Sequence, residues 1–361
     1  MKKAVRVLLI VLAALVLLAG AYVGYAFLRF HRLGDQALAV KGSAPAAVPK
    51  TGQAYTLVSY NIGFGAYEAD FGFFMDGGDR SWAWSKERLD ANLRKIGEAL
   101  RERDAEFYLV QEVDIDATRS YHVDESTYLT SALPEMACVF AQNYDSPFLF
   151  YPILQPHGAS KSGMMTFSAF PVSAAERVEL PIEGGFWKFL DLDRCYSKCR
   201  ISLEEGHDLV LYDLHLSAYT SDGSIATEQL DLLLKDMEGE YARHNYCIAG
   251  GDFNKDLLGD STAFFGRANT AATWAQPIPE GTFDGLHISL AAPAPDAPSC
   301  RNADGPYSPE QFVLTVDGFL VSDNVRVLSS AVIDTGFAWS DHNPVELRFL
   351  LIPQPQAGPA A

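Results

Sequence analysis

The stretch that decides the fold is Tyr-Cys-Ile-Ala-Gly-Gly-Asp-Phe-Asn, residues 246–254. Its first part is apolar and contains an aromatic and a β-branched residue, which is typical of a buried strand. Two polar side chains, Asp252 and Asn254, follow the apolar run. Because successive side chains of a strand point to opposite faces, residues two apart share one face. The stretch therefore predicts a strand that presents an acid and an amide together at its end.

Similar apolar runs recur along the chain, and two segments instead repeat apolar residues at helical spacing. The predicted strands are residues 55–62, 106–113, 138–143, 163–170, 208–216, 246–253, 315–322 and 345–351. The predicted helices are residues 86–103 and 227–243. Many strands and few helices, with no shift in composition that would divide the chain, predict one domain of packed sheets flanked by helices.

Polar side chains of the kinds used in metal binding and acid–base chemistry stand at the ends of several of these runs. They are Asn61, Glu112, His215, Asp252, Asn254, Asp341 and His342. Each of them alone has a common structural explanation, such as a turn, a helix cap or a hydrogen-bonded histidine. Asp317 lies inside the apolar run Leu-Thr-Val-Asp-Gly-Phe-Leu-Val, where burying an acid costs free energy unless it has a partner. A hairpin turn at Asp317-Gly318 is the alternative, but the joint pattern favours one functional site.

These residues, taken in order, resemble the endonuclease/exonuclease/phosphatase superfamily, which includes DNase I, abasic-site endonucleases, neutral sphingomyelinases and inositol polyphosphate phosphatases. The resemblance covers about residues 55–351, and its most specific motifs are Gly251-Asp252-Phe253-Asn254 and Ser340-Asp341-His342. It implies an α+β fold of the DNase I type, a four-layer αββα sandwich of two mainly antiparallel sheets. Gly63 departs from the pattern, because some of the nucleases carry an acid there.

The resemblance also implies a divalent cation, Mg²⁺ or Mn²⁺, as cofactor. Glu112 would be its principal ligand, helped by Asn61 and Asp341. Oxygen ligands of this kind suit a hard cation.

Catalytic roles follow from the same resemblance. Asp317 would hold His342 in the tautomer needed for proton transfer, and Asp252, steadied by Asn254, would orient or deprotonate the attacking water. His215 would donate a hydrogen bond to the phosphate. Whether Asp252 or the Asp317–His342 pair is the general base stays open at this point.

Basic residues cluster in a chain that is otherwise short of them. Lys188, Arg194, Lys198 and Arg200 fall within 13 positions. We expect Arg200 or Lys161 to contact a substrate phosphate, with solvated loop charges as the alternative.

Net charge restricts the class of substrate. The chain has 28 Lys+Arg against 46 Asp+Glu, a formal charge of −18. Such a chain would repel extended nucleic acid, because duplex binding depends on Lys and Arg neutralising phosphates. A small or lipid-linked phosphate ester is therefore favoured. The acids Asp114, Asp116, Asp124 and Glu125 predict a solvated face, with a calcium loop as the alternative.

The N-terminal segment predicts a membrane anchor. Residues 7–28 carry no charge and are long enough to cross a bilayer, and a cleaved signal peptide is the alternative. Basic residues flank both ends and favour a cytoplasmic N-terminus, residues 1–6. The organisation that follows is a linker at 29–53, a catalytic domain at 54–351 outside the cytoplasm, and a disordered tail at 352–361. This places a single-pass protein in the cell membrane.

The five cysteines are too few and too scattered for a disulfide framework, so we expect buried or free thiols. A Cys195–Cys199 disulfide is the alternative. For function, the leading prediction is a monomeric, metal-dependent phosphoesterase. The alternatives are a nuclease acting on DNA or RNA, and a catalytically silent binding module held at the cell surface.

Overall fold

The computed structural model describes residues 2–184, 192–218, 224–266 and 275–354. Its helices are α1 Lys2–Arg29, α2 Lys86–Glu102, α3 Ser126–Ala132, α4 Ser224–Tyr241 and α5 Ser261–Phe265. Its strands are β1 Gln36–Ala37, β2 Val40–Gly42, β3 Ala54–Asn61, β4 Phe107–Ala117, β5 Ala137–Asp145, β6 Ser160–Ser168, β7 Ala174–Glu179, β8 Cys195–Ser202, β9 Asp208–His215, β10 Tyr246–Asp252, β11 Ile288–Ala291, β12 Cys300–Arg301, β13 Val313–Leu314, β14 Asp317–Ser322, β15 Val325–Val332 and β16 Val345–Leu351.

Two seven-stranded sheets contain most of these strands. The first has the order β1-β7-β8-β9-β10-β14-β11, and the second has the order β15-β16-β3-β4-β6-β5-β2. Apolar side chains from both sheets, including Leu57, Phe107, Leu211 and Ile248, form a shared buried core between them. The two sheets therefore pack face to face.

Helices cover the outer faces. The outer face of the second sheet packs on α2 and α3 through a core that contains Leu93 and Leu129. The outer face of the first sheet packs on α4 through Leu233 and Met237. The predicted four-layer αββα sandwich is confirmed, and both helices predicted from apolar spacing are present as α2 and α4.

Parallel pairing brings the ends of β3, β9 and β10 to one edge of the sandwich, beside the middle of β4. Strands β3 and β4 are parallel, as are β9 and β10, and the other neighbours within the two sheets are antiparallel. Both parallel pairs finish at this edge, where Asn61 lies opposite Gln111 and His215 lies opposite Asp252. Strand β14 starts there, and its first residue, Asp317, is the other register partner of Asp252.

The prediction that residues 29–53 form a linker needs correction, because this segment is not a free stalk. Strand β1 pairs with β7 at the edge of the first sheet, and β2 pairs with β5 at the edge of the second. Arg32 binds Asp193 at 2.6 Å, and buried Arg177 donates to the carbonyl of Leu33. Backbone pairing and charge therefore hold this segment against the domain. Of the predicted tail, residues 355–361 lie outside the described residues.

Helix α1 covers the predicted anchor and extends beyond it at both ends. A window of 18 residues within it has a mean hydropathy of 2.7 and none of that window is buried. The helix is long and apolar enough to cross a membrane, and a signal sequence near the N-terminus has the same properties.

All five cysteines are buried and free of disulfides. Cys195 and Cys199 both lie on β8, and four positions along an extended strand separate their Cα atoms by about 13 Å, too far for a disulfide.

Candidate active site

Asp252 stands at the centre of the polar group at this edge of the sandwich. Its carboxylate accepts hydrogen bonds from the backbone N–H of Asn254 at 2.9 Å and from the amide of Asn61 at 3.1 Å. The Nε2 atoms of His215 and His342 lie 3.5 and 3.7 Å from its Oδ2. Burial raises the pKa of Asp252 to about 7, although His342 lowers it. The carboxylate is thus held in place at a site where it can exchange a proton.

Local backbone geometry delivers Asp252 to this position. The preceding Gly251 has φ +144°, and a Cβ there would lie 1.9 Å from the carbonyl oxygen of Leu214. Only glycine therefore allows β10 to approach β9 closely enough at its end.

His342 and Asp317 form a buried pair, as the sequence predicts. The Nδ1 of His342 is 2.8 Å from Asp317 Oδ2, which also accepts from the hydroxyl of Ser299 at 2.7 Å. Burial alone would lower the pKa of His342, but Asp317 outweighs it, and the pKa lies well above its usual value. This contact directs Nε2 of the ring toward Asp252 and toward the thiol of Cys300, which lies 3.6 Å away.

Glu112 reaches the site through an irregularity in β4. It has φ +57°, a left-handed conformation that is rare for residues other than glycine. The register of β4 against β6 shifts between Val110 and Val113, which marks a bulge around this residue. Bulges re-aim side chains, and the Glu112 carboxylate lies 3.3 Å from the amide nitrogen of Asn61. Strain of this kind is concentrated at functional sites.

Glu112, Asn61 and Asp341 form one candidate metal site. Asn61 bridges Glu112 and Asp252, and its backbone carbonyl accepts a hydrogen bond from Ser340, next to Asp341. Burial raises the pKa of Glu112, and the neighbouring Asp341 carboxylate raises it further. Two carboxylates that repel each other in a partly buried site form an oxygen donor set that suits a hard divalent cation.

A second group of possible metal ligands is Asp252, Asp317 and His342, whose donor atoms all lie within 4.8 Å of one another. Its members, however, already bond to each other, since His342 and Asp317 are in hydrogen-bond contact at 2.8 Å. The first group therefore fits a cation better.

The remaining predicted site residues also lie here. The side-chain amide of Asn254 donates to the carbonyl of Leu216 at 2.8 Å, which secures the turn after β10. Burial, with help from Arg194, lowers the pKa of His215 well below its usual value. A neutral His215 can donate a hydrogen bond without carrying charge.

A cavity of about 310 Å³ opens over this group and is lined by Glu112, His215, Asp252, Asn254, Asp341 and His342. Three arginines also line it, Arg119, Arg194 and Arg301, and all three are buried. Asp114 grips Arg119 through two hydrogen bonds of 2.8 and 3.0 Å. Buried guanidinium groups beside a cavity are well suited to bind an anion.

In the sequence, Arg194 stands out only as part of a cluster of bases, and Arg119 and Arg301 give no signal. The sequence also predicts a solvated face or a calcium loop for Asp114 and Glu125, which is wrong for these two residues because both are buried. Asp114 serves to position Arg119, and Glu125 accepts from the backbone N–H of Asp114. These contacts give Asp114 and Glu125 structural roles in place of a solvated face or a calcium loop.

Neither residue chosen for substrate contact reaches the cavity. Arg200 lies on β8, and its guanidinium binds Glu240 of α4 and also Asp208. Lys161 lies on β6, but Ser162 lines the cavity, and the side chains of neighbouring strand residues point to opposite faces. Lys198 likewise binds Glu240 and Asp236, while Lys188 lies outside the described residues.

Two stacked sheets, with acids, amides and imidazoles that converge at one end of their interface, define the class of DNase I-like phosphoester hydrolases. The family described as the Endonuclease/Exonuclease/phosphatase family matches residues 58–342. The chain belongs to this family, and it is an enzyme of the group that hydrolyses phosphate esters. Enzymes of this family generally depend on a divalent metal ion.

Solved structures share the fold at low sequence identity. An endonuclease/exonuclease/phosphatase from Beutenbergia cavernae is 19% identical with a TM-score of 0.58, covering 84% of this chain and 73% of that one. A family protein from Leptotrichia buccalis is 13% identical with a TM-score of 0.54, covering 82% and 99%. ANGEL2, described as a 2',3'-cyclic phosphatase, is 16% identical with a TM-score of 0.52, covering 82% and 96%. A search of curated proteins finds no match.

The placement of Arg200 leads to a testable expectation. Arg200→Ala should leave kcat and KM within about twofold of the unaltered enzyme, because its partners lie on α4 and β9 rather than in the cavity. It should also lower the free energy of unfolding by about 2 kcal/mol, because buried Glu240 loses a charged partner. Chemical denaturation and steady-state kinetics measure both. A rise in KM with unchanged stability would restore the original interpretation of Arg200.

Proposed function

We propose that this enzyme hydrolyses a phosphodiester or phosphomonoester in a small or lipid-linked substrate, with Mg²⁺ or Mn²⁺ as cofactor. The observation that supports it most is the convergence of Glu112, Asp252 and the His342–Asp317 pair on a cavity lined by three buried arginines. A negatively charged group of phosphate size is the ligand for which this combination of acids and guanidinium groups is suited.

Glu112 and Asp341 would hold the cation through carboxylate oxygens, with Asn61 beside them. The amide nitrogen of Asn61 faces Glu112 and Asp252, while its oxygen accepts from the N–H of Gly63 at 3.0 Å. In this orientation Asn61 would secure both acids and contribute less to the binding of the cation than the family resemblance implies. When bound, the cation supplies stabilisation of negative charge on the phosphate oxygens.

The residues around Asp252 would handle the attacking water. Asn254 and Asn61 hold the carboxylate of Asp252, so that one of its oxygens can accept a proton from water in the cavity. His342, oriented by Asp317, presents Nε2 to the same space and can transfer a proton to or from the ester. Both groups remain candidates for the general base, and each such group contributes about 10²–10⁴-fold to the rate.

The buried arginines would bind and orient the phosphate. Arg119 is fixed by Asp114, and Arg301 is fixed by the carbonyls of Glu68 and Phe71 at 3.2 and 3.1 Å. Because these contacts are formed within the protein, the guanidinium groups require little reorganisation when an anion binds. His215 would add a neutral hydrogen-bond donor.

An apolar wall supports a substrate with an apolar part. Tyr67, Phe73, Phe74, Leu149 and Tyr151 line the same cavity. Together with α1, which is long and apolar enough to cross a bilayer, this wall favours a lipid-linked ester. We place the catalytic domain outside the cytoplasm, on the balance of basic residues around α1.

A metal-titrated hydrolysis assay on the full chain tests this function. The substrates are bis-p-nitrophenyl phosphate, p-nitrophenyl phosphate, a phospholipid and plasmid DNA. We expect hydrolysis of at least one non-polymeric ester, its loss with EDTA, and its recovery when Mg²⁺ or Mn²⁺ is added. Hydrolysis of plasmid alone would establish the nuclease alternative, and no hydrolysis with any metal would favour the binding module.

A further inference from the structure

The loop of residues 148–154, Phe-Leu-Phe-Tyr-Pro-Ile-Leu, exposes large apolar side chains. We call it the apolar loop. Phe150, Tyr151, Ile153 and Leu154 are 57%, 70%, 84% and 99% exposed. Among the described residues outside α1, Phe264 is the one other large apolar residue that is more than half exposed. Such a concentration of exposed apolar surface marks an interaction site.

The apolar loop contacts the C-terminal part of α1. The hydroxyl of Tyr22 donates to the carbonyl of Phe148 at 3.1 Å, and the backbone N–H of Phe148 donates to the hydroxyl of Tyr25 at 3.2 Å. The rings of Tyr22 and Phe150 meet edge to face with centroids 5.2 Å apart. In helices that cross a membrane, tyrosines near the end of the apolar segment typically lie at the level of the lipid headgroups.

The same loop forms one wall of the catalytic cavity. Leu149 and Tyr151 line the cavity together with Glu112 and Asp252. Met75, which is 46% exposed, also lines it, and the rings of Tyr151 and Phe74 lie 5.8 Å apart. The loop therefore connects the end of α1 to the mouth of the catalytic cavity.

We propose that the apolar loop inserts into the interface of the bilayer that α1 crosses, so that the catalytic cavity opens at the membrane surface. The occupant of this surface is phospholipid, because the loop continues the apolar surface of α1 at the level of its tyrosines. Ile153 and Leu154 would enter the acyl region, and Tyr151 would face the headgroups. The substrate class is then an amphiphile with a phosphate ester near its headgroup, a statement that rests on the proposed function.

Site-specific labelling tests the insertion without reference to activity. Leu154→Cys in the full chain is labelled with an environment-sensitive fluorophore, and the protein is placed in phosphatidylcholine nanodiscs with or without brominated acyl chains. The five native cysteines are buried, so the unaltered chain should give little background. Leu328→Cys on β15, at 46% exposure, is the matched control.

We expect bromine to quench the label at position 154 at least twofold and to leave the label at 328 nearly unchanged. Equal quenching at both positions, or quenching at neither, would overturn the proposal.

A pair of double variants links insertion to substrate access. Ile153→Ser with Leu154→Ser removes the two most exposed side chains of the apolar loop, and Val327→Ser with Leu328→Ser is the control. In nanodiscs, the loop variant should have a KM for a fluorescent phospholipid that is about tenfold higher. Its KM for bis-p-nitrophenyl phosphate should stay within twofold of the value for the unaltered chain. If kcat/KM falls equally for both substrates, or changes for neither, the result would contradict the role of the loop. If the unaltered chain hydrolyses neither, the proposed function fails while the labelling result stands.

Discussion

Asp252→Asn is expected to lower kcat/KM for the preferred ester by about 10³–10⁴-fold, because it removes the carboxylate that receives hydrogen bonds from Asn61 and Asn254 and faces both imidazoles. The same change should keep or raise the thermal midpoint. A buried acid is costly, and an amide of the same shape removes that cost. The measurements are steady-state kinetics and thermal denaturation on the same preparation.

These opposite effects separate a catalytic role from a structural one. An Asp252 that merely supports the fold would give a lower thermal midpoint and an activity loss in proportion to the unfolded fraction. Full activity of Asp252→Asn, at any metal concentration, would exclude Asp252 from the chemistry and leave His342 as the candidate base.

The second large effect is expected for the His342–Asp317 pair. Asp317→Asn should lower kcat by about 10²–10⁴-fold, because the ring loses the carboxylate that fixes its tautomer. His342→Ala should have a similar effect. If the two residues act as one unit, the double variant should lose no more than the worse single variant, since the interaction can be lost only once.

The chain offers a matched control for this cycle. His287 and Asp323 form a second pair with Nδ1 and Oδ2 3.0 Å apart, and both side chains are 55% exposed. His287→Ala and Asp323→Asn should each leave kcat within about twofold. Additive losses for Asp317→Asn and His342→Ala would contradict a coupled pair.

The sheets and the central site residues could be predicted because they carry local signals. Strands β3, β10 and β14 are mostly apolar and almost entirely buried, and a polar residue at one end of each is conspicuous. By contrast, β7 has no such signal, because Ala-Ala-Glu-Arg-Val-Glu is rich in charge and its buried Arg177 donates to carbonyls of other segments. Sequence spacing does not reveal such partners.

The prediction that Arg200 or Lys161 contacts the substrate is wrong for a related reason. The sequence shows a cluster of bases but predicts no strand at β8, and in the fold Lys198 and Arg200 lie on the face of β8 toward α4, where they meet Asp236 and Glu240. Which face a charge occupies depends on strand register and on acids about 40 positions away. Arg119 and Arg301 gave no periodic signal at all, since Asp114 in the one case and backbone carbonyls in the other define their positions. The outcome is a site whose acids are visible in the sequence and whose arginines are visible only in three dimensions.

Because β1 pairs with the first sheet and β2 with the second, the connection between α1 and the catalytic domain is short and fixed. Only residues 30–35 separate α1 from β1, and Arg32 is itself fastened to Asp193. If α1 crosses a bilayer, so short a connection prevents the catalytic domain from rotating relative to α1 or moving away from the membrane surface. Turnover would then follow the mole fraction of substrate within the host leaflet rather than its bulk concentration, so inert lipid added to that leaflet would slow the enzyme by surface dilution.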